Sequence, residues 1–156
     1  MLLLNNLQQL CIEKGVCVAV AESCTAGLIA SKLTTLPGSS SFFKGGVVAY
    51  QNEIKIKILG VSQSIIDEKT EVSAEVVKQM AQSVLGKFDS DFAIATSGYA
   101  GPTGGTNKNP IGTVFIAIAS VVGVVVSRFV FSGNRQSIVN QASESALDLL
   151  YTKIKK

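Results

Sequence analysis

The residues best placed to do chemistry lie in the stretch 21–27, where a serine, a cysteine and a threonine stand between a predicted strand and a predicted helix. Residues 16–20 are apolar and predict a buried strand, and residues 28–33 predict a helix. The N–H groups of a helix's first turn are unpaired and favour an anion or an oxygen on which negative charge develops. Ser23 is therefore a candidate nucleophile. The alternative is that Ser23 or Thr25 only caps the helix.

A base for such a serine must come from an unusual residue type, because the chain contains no histidine. Lys55 follows Tyr50 by five residues, across a predicted strand-to-helix turn, and lies in the first turn of a helix that begins near Asn52. The helix dipole and partial burial would both lower the pKa of Lys55. A lysine lowered in this way can deprotonate a serine hydroxyl without a histidine. The alternative is a solvated lysine on a polar helix face, with Lys57 as its neighbour.

Two more side chains are candidates for binding or catalysis. Arg135 lies at the start of a predicted helix, after Ser132 and Gly133. A guanidinium beside free N–H groups favours a phosphate, although a solvated arginine fits the same pattern. Cys24 is an alternative nucleophile, since a helix N-terminus activates a thiol. It ranks below the serines because the chain offers no histidine partner.

Composition narrows the class of protein. The 156 residues predict a single domain, residues 1–156, with 47% apolar residues for its core and only 16% charged residues. The net charge is +3 and no basic stripe is present, which disfavours direct binding of nucleic acid. The three cysteines have no paired spacing, and the sequence shows neither a signal peptide nor an apolar run of membrane length. These features predict a cytoplasmic location and no membrane contact. No residue cluster predicts a metal site, and no cofactor is expected.

The apolar pattern predicts a mixed sheet with helices on both faces, a three-layer α/β/α sandwich. Predicted strands cover residues 16–21, 47–50, 91–97, 112–119 and 124–131, the last two forming a hairpin around Gly123. Predicted helices cover residues 3–14, 28–35, 52–59, 73–88 and the segment after 135, and residues 61–70 are predicted to form a short helix and a loop. Residues 39–46 are expected to be a packed loop. The turn at Ser23, the strand end at Tyr50 and the loop after Ser97 converge on one pocket if their strands are parallel.

The loop over residues 99–110 is long and rich in glycine, as functional loops often are. It is not a phosphate-binding P-loop, because no Gly-Lys-Ser/Thr ends it. Several motifs resemble the CinA C-terminal domain family, in collinear order over nearly the whole chain. They are Ala-Glu-Ser-Cys-Thr-Ala-Gly at 21–27, Pro-Gly-Ser-Ser at 37–40, Tyr-Gln-Asn-Glu-Ile-Lys at 50–55, Val-Ser at 72–73, Ser-Gly-Tyr-Ala-Gly-Pro-Thr-Gly-Gly at 97–105, Pro-Ile-Gly-Thr-Val at 110–114 and Ser-Gly-Asn-Arg at 132–135.

The resemblance implies a nicotinamide-nucleotide amidase, which converts nicotinamide mononucleotide and water into nicotinate mononucleotide and ammonia. It also implies the three-layer fold and a homodimer or higher homo-oligomer. The implied catalytic residues are Ser40, Lys55, Ser23 and Tyr50. The implied substrate-binding residues are Thr25, Gly27, Ser97, Gly98, Gly101 and Arg135. In this assignment a serine attacks the carboxamide, Lys55 is its base and Tyr50 supports proton transfer.

Which serine attacks is left open by the sequence. Turn geometry favours Ser23, because backbone N–H groups nearby could stabilise an oxyanion, whereas the resemblance pairs Lys55 with Ser40, which we prefer slightly. Ser97 stands where the family often has threonine and keeps the hydroxyl. The larger N-terminal domain of full-length CinA proteins is not in this sequence, so its activity is not expected. The alternative functions are a non-catalytic nucleotide-binding module and a competence- or DNA-damage-linked interaction module.

Overall fold

The computed structural model describes all 156 residues and is built on one five-stranded sheet. The strands are β1 (Val18–Glu22), β2 (Phe43–Val48), β3 (Phe92–Gly98), β4 (Thr113–Ser120) and β5 (Gly123–Val130). Their order across the sheet is β2-β1-β3-β4-β5. The first three strands are parallel, whereas β4 and β5 run antiparallel to their neighbours. The carboxyl ends of β1, β2 and β3 therefore meet at one edge, as the sequence analysis required.

Helices cover both faces of this sheet. The helices are α1 (Leu2–Lys14), α2 (Leu28–Leu33), α3 (Asn52–Leu59), α4 (Gln63–Lys69), α5 (Ala74–Lys87) and α6 (Arg135–Lys155), with a 3₁₀ turn at Ser39–Ser41. One apolar core lies between the sheet and α1, α2 and α6, and a second lies between the sheet and α3, α4 and α5. The predicted three-layer α/β/α sandwich with a mixed sheet is confirmed. None of the helices combines the length and hydropathy that a membrane span needs.

Local signals in the sequence explain where several helices begin and end. Gly15 ends α1 in the left-handed region, at φ 64°, where glycine has no Cβ to clash. The Ser73 hydroxyl accepts the N–H of Val76 at the start of α5. The Asn134 side chain accepts the N–H of Ser137 and so places Arg135 in the first turn of α6. These caps fix the entry of two helices that flank the edge where the parallel strands end.

The structure differs from the sequence prediction at β2, which begins at Phe43 rather than at residue 47. Gly45 and Gly46 lie inside this strand, although adjacent glycines usually indicate a loop. A Cβ added at Gly46 would lie 2.4 Å from the backbone oxygen of Val20. The glycine is thus required by the close approach of β2 to β1. The strand also ends earlier than predicted, at Val48, so Tyr50 lies beyond its end rather than at its last residue.

Candidate active site

A cavity of about 320 Å³ opens at the edge where the parallel strands end. It draws side chains from the turn after β1, from α3 and the segment before it, from the segment before α5, from the end of β3 and from the start of α6. Its lining includes six of the predicted site residues, which are Ser23, Tyr50, Lys55, Ser97, Gly98 and Arg135. A larger groove of about 720 Å³ lies at the amino end of α5, and it contains none of the predicted residues.

The centre of the cavity is a contact between Lys55 and Ser23. The Lys55 Nζ lies 2.9 Å from the Ser23 Oγ and donates a second hydrogen bond, of 3.2 Å, to the backbone oxygen of Tyr50. Lys55 is only 1% exposed. Burial lowers the pKa of Lys55, and the nearby Glu71 and Cys24 oppose that effect without cancelling it. An uncharged amine at this distance can accept the proton of the serine hydroxyl, which is the geometry of a Ser–Lys pair.

The turn that carries Ser23 is fixed by several hydrogen bonds. The N–H of Ser23 donates to the backbone oxygen of Thr96, which extends the pairing of β1 with β3 by one residue. The hydroxyl groups of Thr25 and Thr96 lie 2.8 Å apart and are both buried. Gly27, at φ 94°, lets the chain turn into α2 in a conformation that other residues rarely adopt. Ser23 therefore lies on a rigid segment rather than on a mobile loop.

Cys24 lines the same cavity but is not suited to nucleophilic attack. It is buried, and burial raises the pKa of its thiol to about 12. A thiolate is the reactive form of cysteine, so almost none of the reactive form exists near neutral pH. The helix N-terminus was expected to lower the pKa of this thiol, but burial has the larger effect and raises it. Of the two candidate nucleophiles in the cavity, only Ser23 contacts Lys55.

The mouth of the cavity is bridged by Arg135. Its Nη2 donates to the Tyr50 hydroxyl at 2.7 Å, and its Nη1 donates to the backbone oxygen of Gly101 at 2.8 Å. These bonds link α6, the segment before α3 and the loop after β3. The guanidinium is thus held beside the cavity with no carboxylate in salt-bridge contact. A positively charged, planar donor in this position is suited to an anionic group on a ligand.

Comparison with known proteins places this chain and its fold in a family. The CinA C-terminal domain profile matches residues 2–154. The chain belongs to the CinA C-terminal domain family. A CinA-like protein of Flavobacterium psychrophilum is 44% identical over 150 residues, which are 96% of this chain and 36% of that protein. A putative competence-damage inducible protein of Caldicellulosiruptor saccharolyticus is 47% identical over 142 residues, or 91% of this chain and 34% of that protein. The chain thus spans about a third of the length of these relatives.

Solved structures of the CinA superfamily share the fold at full length. A CinA superfamily protein from Klebsiella pneumoniae superposes with a TM-score of 0.94 at 33% identity, covering 98% of this chain and 96% of that one. A competence/damage inducible protein from Agrobacterium tumefaciens gives a TM-score of 0.91 at 32% identity, covering 99% and 96%.

Ser40, the other candidate nucleophile of this CinA-family chain, lies away from the cavity. It is exposed in the 3₁₀ turn Ser39–Ser41, which precedes β2, whereas Lys55 follows that strand. The six residues of β2 separate the two ends of the sheet by roughly 20 Å. The expected contact between Ser40 and Lys55 is therefore absent within one chain, and the structure pairs Lys55 with Ser23 instead. The spacing of motifs along the sequence could not show this, because it does not report which end of a strand a residue occupies.

Three of the expected substrate-binding residues, Thr25, Gly27 and Gly101, are also outside the cavity. The Thr25 hydroxyl bonds to Thr96, and the side chain reaches only a neighbouring cavity of about 420 Å³ that includes Arg135. The N–H of Gly27 donates to the carboxylate of Glu22. Both residues shape the turn that carries Ser23. Gly101 contributes its backbone oxygen to Arg135 rather than lining the cavity.

The remaining predicted residues meet in the cavity, together with others that sequence reasoning missed. The Ser97 hydroxyl donates to the backbone oxygen of Glu71 at 2.7 Å, which ties the segment before α5 to the end of β3. Glu71 lines the cavity beside Val72, and no motif had singled it out. Thr96 was missed because it is buried in a strand, where a threonine is typical. Its only signal was its position at the end of the strand before Ser97.

Proposed function

We propose that this chain is an amidase that hydrolyses the carboxamide of nicotinamide mononucleotide, with Ser23 as nucleophile and Lys55 as its base. The observation that carries the proposal is the 2.9 Å contact between the Lys55 Nζ and the Ser23 Oγ, made by a buried lysine whose pKa is lowered, in a chain without histidine. The choice of substrate rests on the family resemblance in the sequence motifs. The cavity size suits a single aromatic ring with its carboxamide.

The reaction divides into two balanced steps. Lys55 takes the proton of the Ser23 hydroxyl as the serine oxygen bonds to the carboxamide carbon. The resulting ammonium of Lys55 returns a proton to the leaving nitrogen, so that ammonia departs and an acyl ester remains on Ser23. A water molecule, deprotonated by the same amine, then attacks the ester. Nicotinate mononucleotide is released, and Ser23 regains its proton.

The negative charge that develops on the carboxamide oxygen needs donors close to Ser23. The N–H groups of Cys24 and Thr25 donate to no acceptor in the protein. They directly follow the proposed nucleophile, the position that supplies an oxyanion donor in many acyl-transfer enzymes. We assign these two N–H groups to the oxyanion.

The nucleotide tail requires a cation at the mouth of the cavity. Arg135 supplies it. Gly98, which also lines the cavity, is required by the close approach of β4, because a Cβ there would lie 2.6 Å from the backbone oxygen of Thr113. Tyr50 holds the guanidinium through its hydroxyl. In this proposal Tyr50 positions Arg135, and its expected part in proton transfer from Ser23 stays a prediction.

We further propose that the chain works in the cytoplasm as a homodimer or higher homo-oligomer. Support for a second copy comes from the exposed apolar side chains of Val48, on β2, and Ile58, on α3. Light scattering measures the mass in solution. A monomer at the concentrations used for activity assays would contradict this part of the proposal.

The test of the proposed function is release of ammonia from nicotinamide mononucleotide, followed in a coupled assay with the purified chain. We expect release by the parent chain, loss of release with Ser23→Ala and retention with Ser40→Ala, which is the matched control. Calorimetry with the same substrate separates an enzyme from a binding module. Binding of the nucleotide without any ammonia, across a range of pH, would refute the amidase and favour the non-catalytic alternative.

A further inference from the structure

Glu22, the last residue of β1, is fully buried and holds the turn beside Ser23. Its Oε2 accepts the N–H of Gly27 at 3.0 Å and that of Ile29 at 3.1 Å, while its Oε1 accepts the N–H of Ala30 at 2.8 Å. A single carboxylate thus binds three backbone donors at the start of α2. No sequence motif distinguished this acid from the residues around it.

These bonds determine which N–H groups of the turn are free to bind an anion. The sequence suggested that the first N–H groups of α2 are free to receive an anion, but Glu22 already occupies three of them. The N–H of Ser23 is taken by the Thr96 backbone oxygen. Only the N–H groups of Cys24 and Thr25 remain without an acceptor within the turn before Ala26. The internal carboxylate therefore leaves unpaired the donors that directly follow the serine.

We infer that Glu22 is the positioning residue for Ser23: its carboxylate closes the segment from the end of β1 to α2 and so holds the Ser23 hydroxyl against Lys55. This inference rests on the proposed role of Ser23. The closed segment contains one conformation that a free chain would disfavour, Ala26 at φ 49°, and it is followed by Gly27 at φ 94°, which glycine adopts readily. Three hydrogen bonds to one buried carboxylate keep the chain in that shape.

Two substitutions of Glu22 change the hydrogen bonds of its side chain in different ways, one at constant size and one at constant charge. Glu22→Gln replaces one acceptor oxygen by an NH₂ group, which then faces a backbone N–H and cannot bond to it. Glu22→Asp keeps both oxygens but withdraws them by roughly 1.5 Å, the length of one carbon–carbon bond. Neither substitution changes the identity of Ser23, of Lys55 or of any residue that lines the cavity. A shift of about 1 Å in a reacting group can reduce a rate about 100-fold.

A matched control is available at the opposite end of the sheet. Asp91 also accepts a backbone N–H, that of Cys17, at 2.7 Å. Asp91→Asn therefore disturbs a carboxylate-to-backbone bond at the start of β3, far from the end where Ser23 lies. A variant that only weakens the fold would resemble this control.

The experiment measures how fast an aryl sulfonyl fluoride labels Ser23, using mass spectrometry to assign the site, alongside kcat and KM for ammonia release. We expect Glu22→Gln to slow labelling of the folded protein and to lower kcat by about 10- to 100-fold, with KM nearly unchanged. Glu22→Asp should fall between this variant and the parent chain. Asp91→Asn should label within about twofold of the parent rate, whatever stability it loses.

Labelling of Glu22→Gln at the parent rate would overturn the inference, as would equal slowing in Asp91→Asn or a parent chain that does not label. If Glu22→Gln does not fold, Glu22→Asp decides by the same comparison. Hydrogen exchange in the parent chain is independent of any variant: the N–H groups of Gly27, Ile29 and Ala30 must be protected, and exchange as fast as in exposed loops would also overturn the inference. A parent chain that labels at Ser23 but releases no ammonia would refute the proposed substrate and leave the role of Glu22 tested by labelling.

Discussion

Replacement of Lys55 by methionine separates the catalytic from the structural effect of this side chain. Methionine is unbranched and matches the apolar stem of lysine as far as the fourth atom, so most of the buried site stays filled. The Ser23 hydroxyl has no other hydrogen-bond partner in the protein, so no second base replaces the amine. General-base catalysis contributes about 10²–10⁴-fold, which corresponds to roughly 3–5 kcal/mol of transition-state stabilisation. We expect Lys55→Met to lower kcat by that factor in the ammonia assay.

The same substitution is expected to stabilise the fold at neutral pH. It removes two hydrogen bonds, each worth about 0.5–1.5 kcal/mol. It also removes the unfavourable burial of a cation, which is the main cause of the lowered pKa of Lys55. Removing a strained functional group commonly adds about 0.5–2 kcal/mol, and each 1 kcal/mol raises the melting temperature of a chain this long by about 2–4 °C.

The pH dependence has a definite sign. Because the pKa of Lys55 is lower in the folded than in the unfolded chain, the unfolded chain binds more protons between those two values. The stability of the parent therefore rises with pH across that window, and the advantage of Lys55→Met shrinks as the pH approaches 10.5, the ordinary lysine value. Below the folded-state pKa, the activity of the parent should rise about tenfold per pH unit.

Lys57→Met provides the matched control for these measurements. Lys57 lies on the same helix but is exposed, so its replacement should change neither kcat nor the pH dependence of stability. Melting curves at several pH values, recorded for the parent and both variants, carry the comparison. A Lys55→Met variant with the kcat of the parent chain would show that Lys55 is not the base for Ser23. So would a stability difference from the parent that stays constant from neutral pH to 10.5.

Three further predictions concern the rest of the site. Arg135→Gln should raise KM for nicotinamide mononucleotide by about 10-fold or more, because a charged hydrogen bond contributes about 1.5–3 kcal/mol. Tyr50→Phe should raise KM less. Initial-rate kinetics measure both effects, and an unchanged KM in Arg135→Gln would show that the arginine does not bind the substrate. Cys24→Ala should keep a kcat near that of the parent chain. Iodoacetamide should leave Cys24 of the parent chain unmodified at pH 8, because burial raises the pKa of this thiol to about 12. Rapid modification of Cys24, detected by mass spectrometry, would contradict the argument that burial suppresses its reactivity. Exhaustive dialysis against a chelator should leave ammonia release unchanged, and activity that returns only with added metal would refute the metal-free mechanism.

The sequence was sufficient for most of the fold, and it named both members of the central pair, although it slightly preferred Ser40 to Ser23 as the partner of Lys55. Alternation of strands and helices predicts the sheet, and the motif around Ser23 and the spacing of Tyr50 to Lys55 indicate the residues that meet. The structure departs at Gly45 and Gly46, which propensity assigns to a loop. The space between β2 and β1 is a tertiary property, and a single sequence does not report it.

The roles of the residues around that pair were harder to predict. The position of Ser40 depends on which end of a strand it precedes, and sequence distance alone does not separate it from Ser23. Thr25 and Glu22 are polar residues in a functional motif, yet both act within the protein, through buried hydrogen bonds to Thr96 and to the first turn of α2. A motif therefore identifies the region of the site but does not divide ligand contacts from supporting contacts.

An NMR titration of the lysine ammonium groups in ¹⁵N-lysine-labelled protein, with Lys55→Met used to assign the signal, determines whether the base beside Ser23 is uncharged. We expect Lys55 to lose its proton at a clearly lower pH than the other lysines of the folded chain. A Lys55 signal that titrates together with the exposed lysines would contradict a buried, uncharged base beside Ser23.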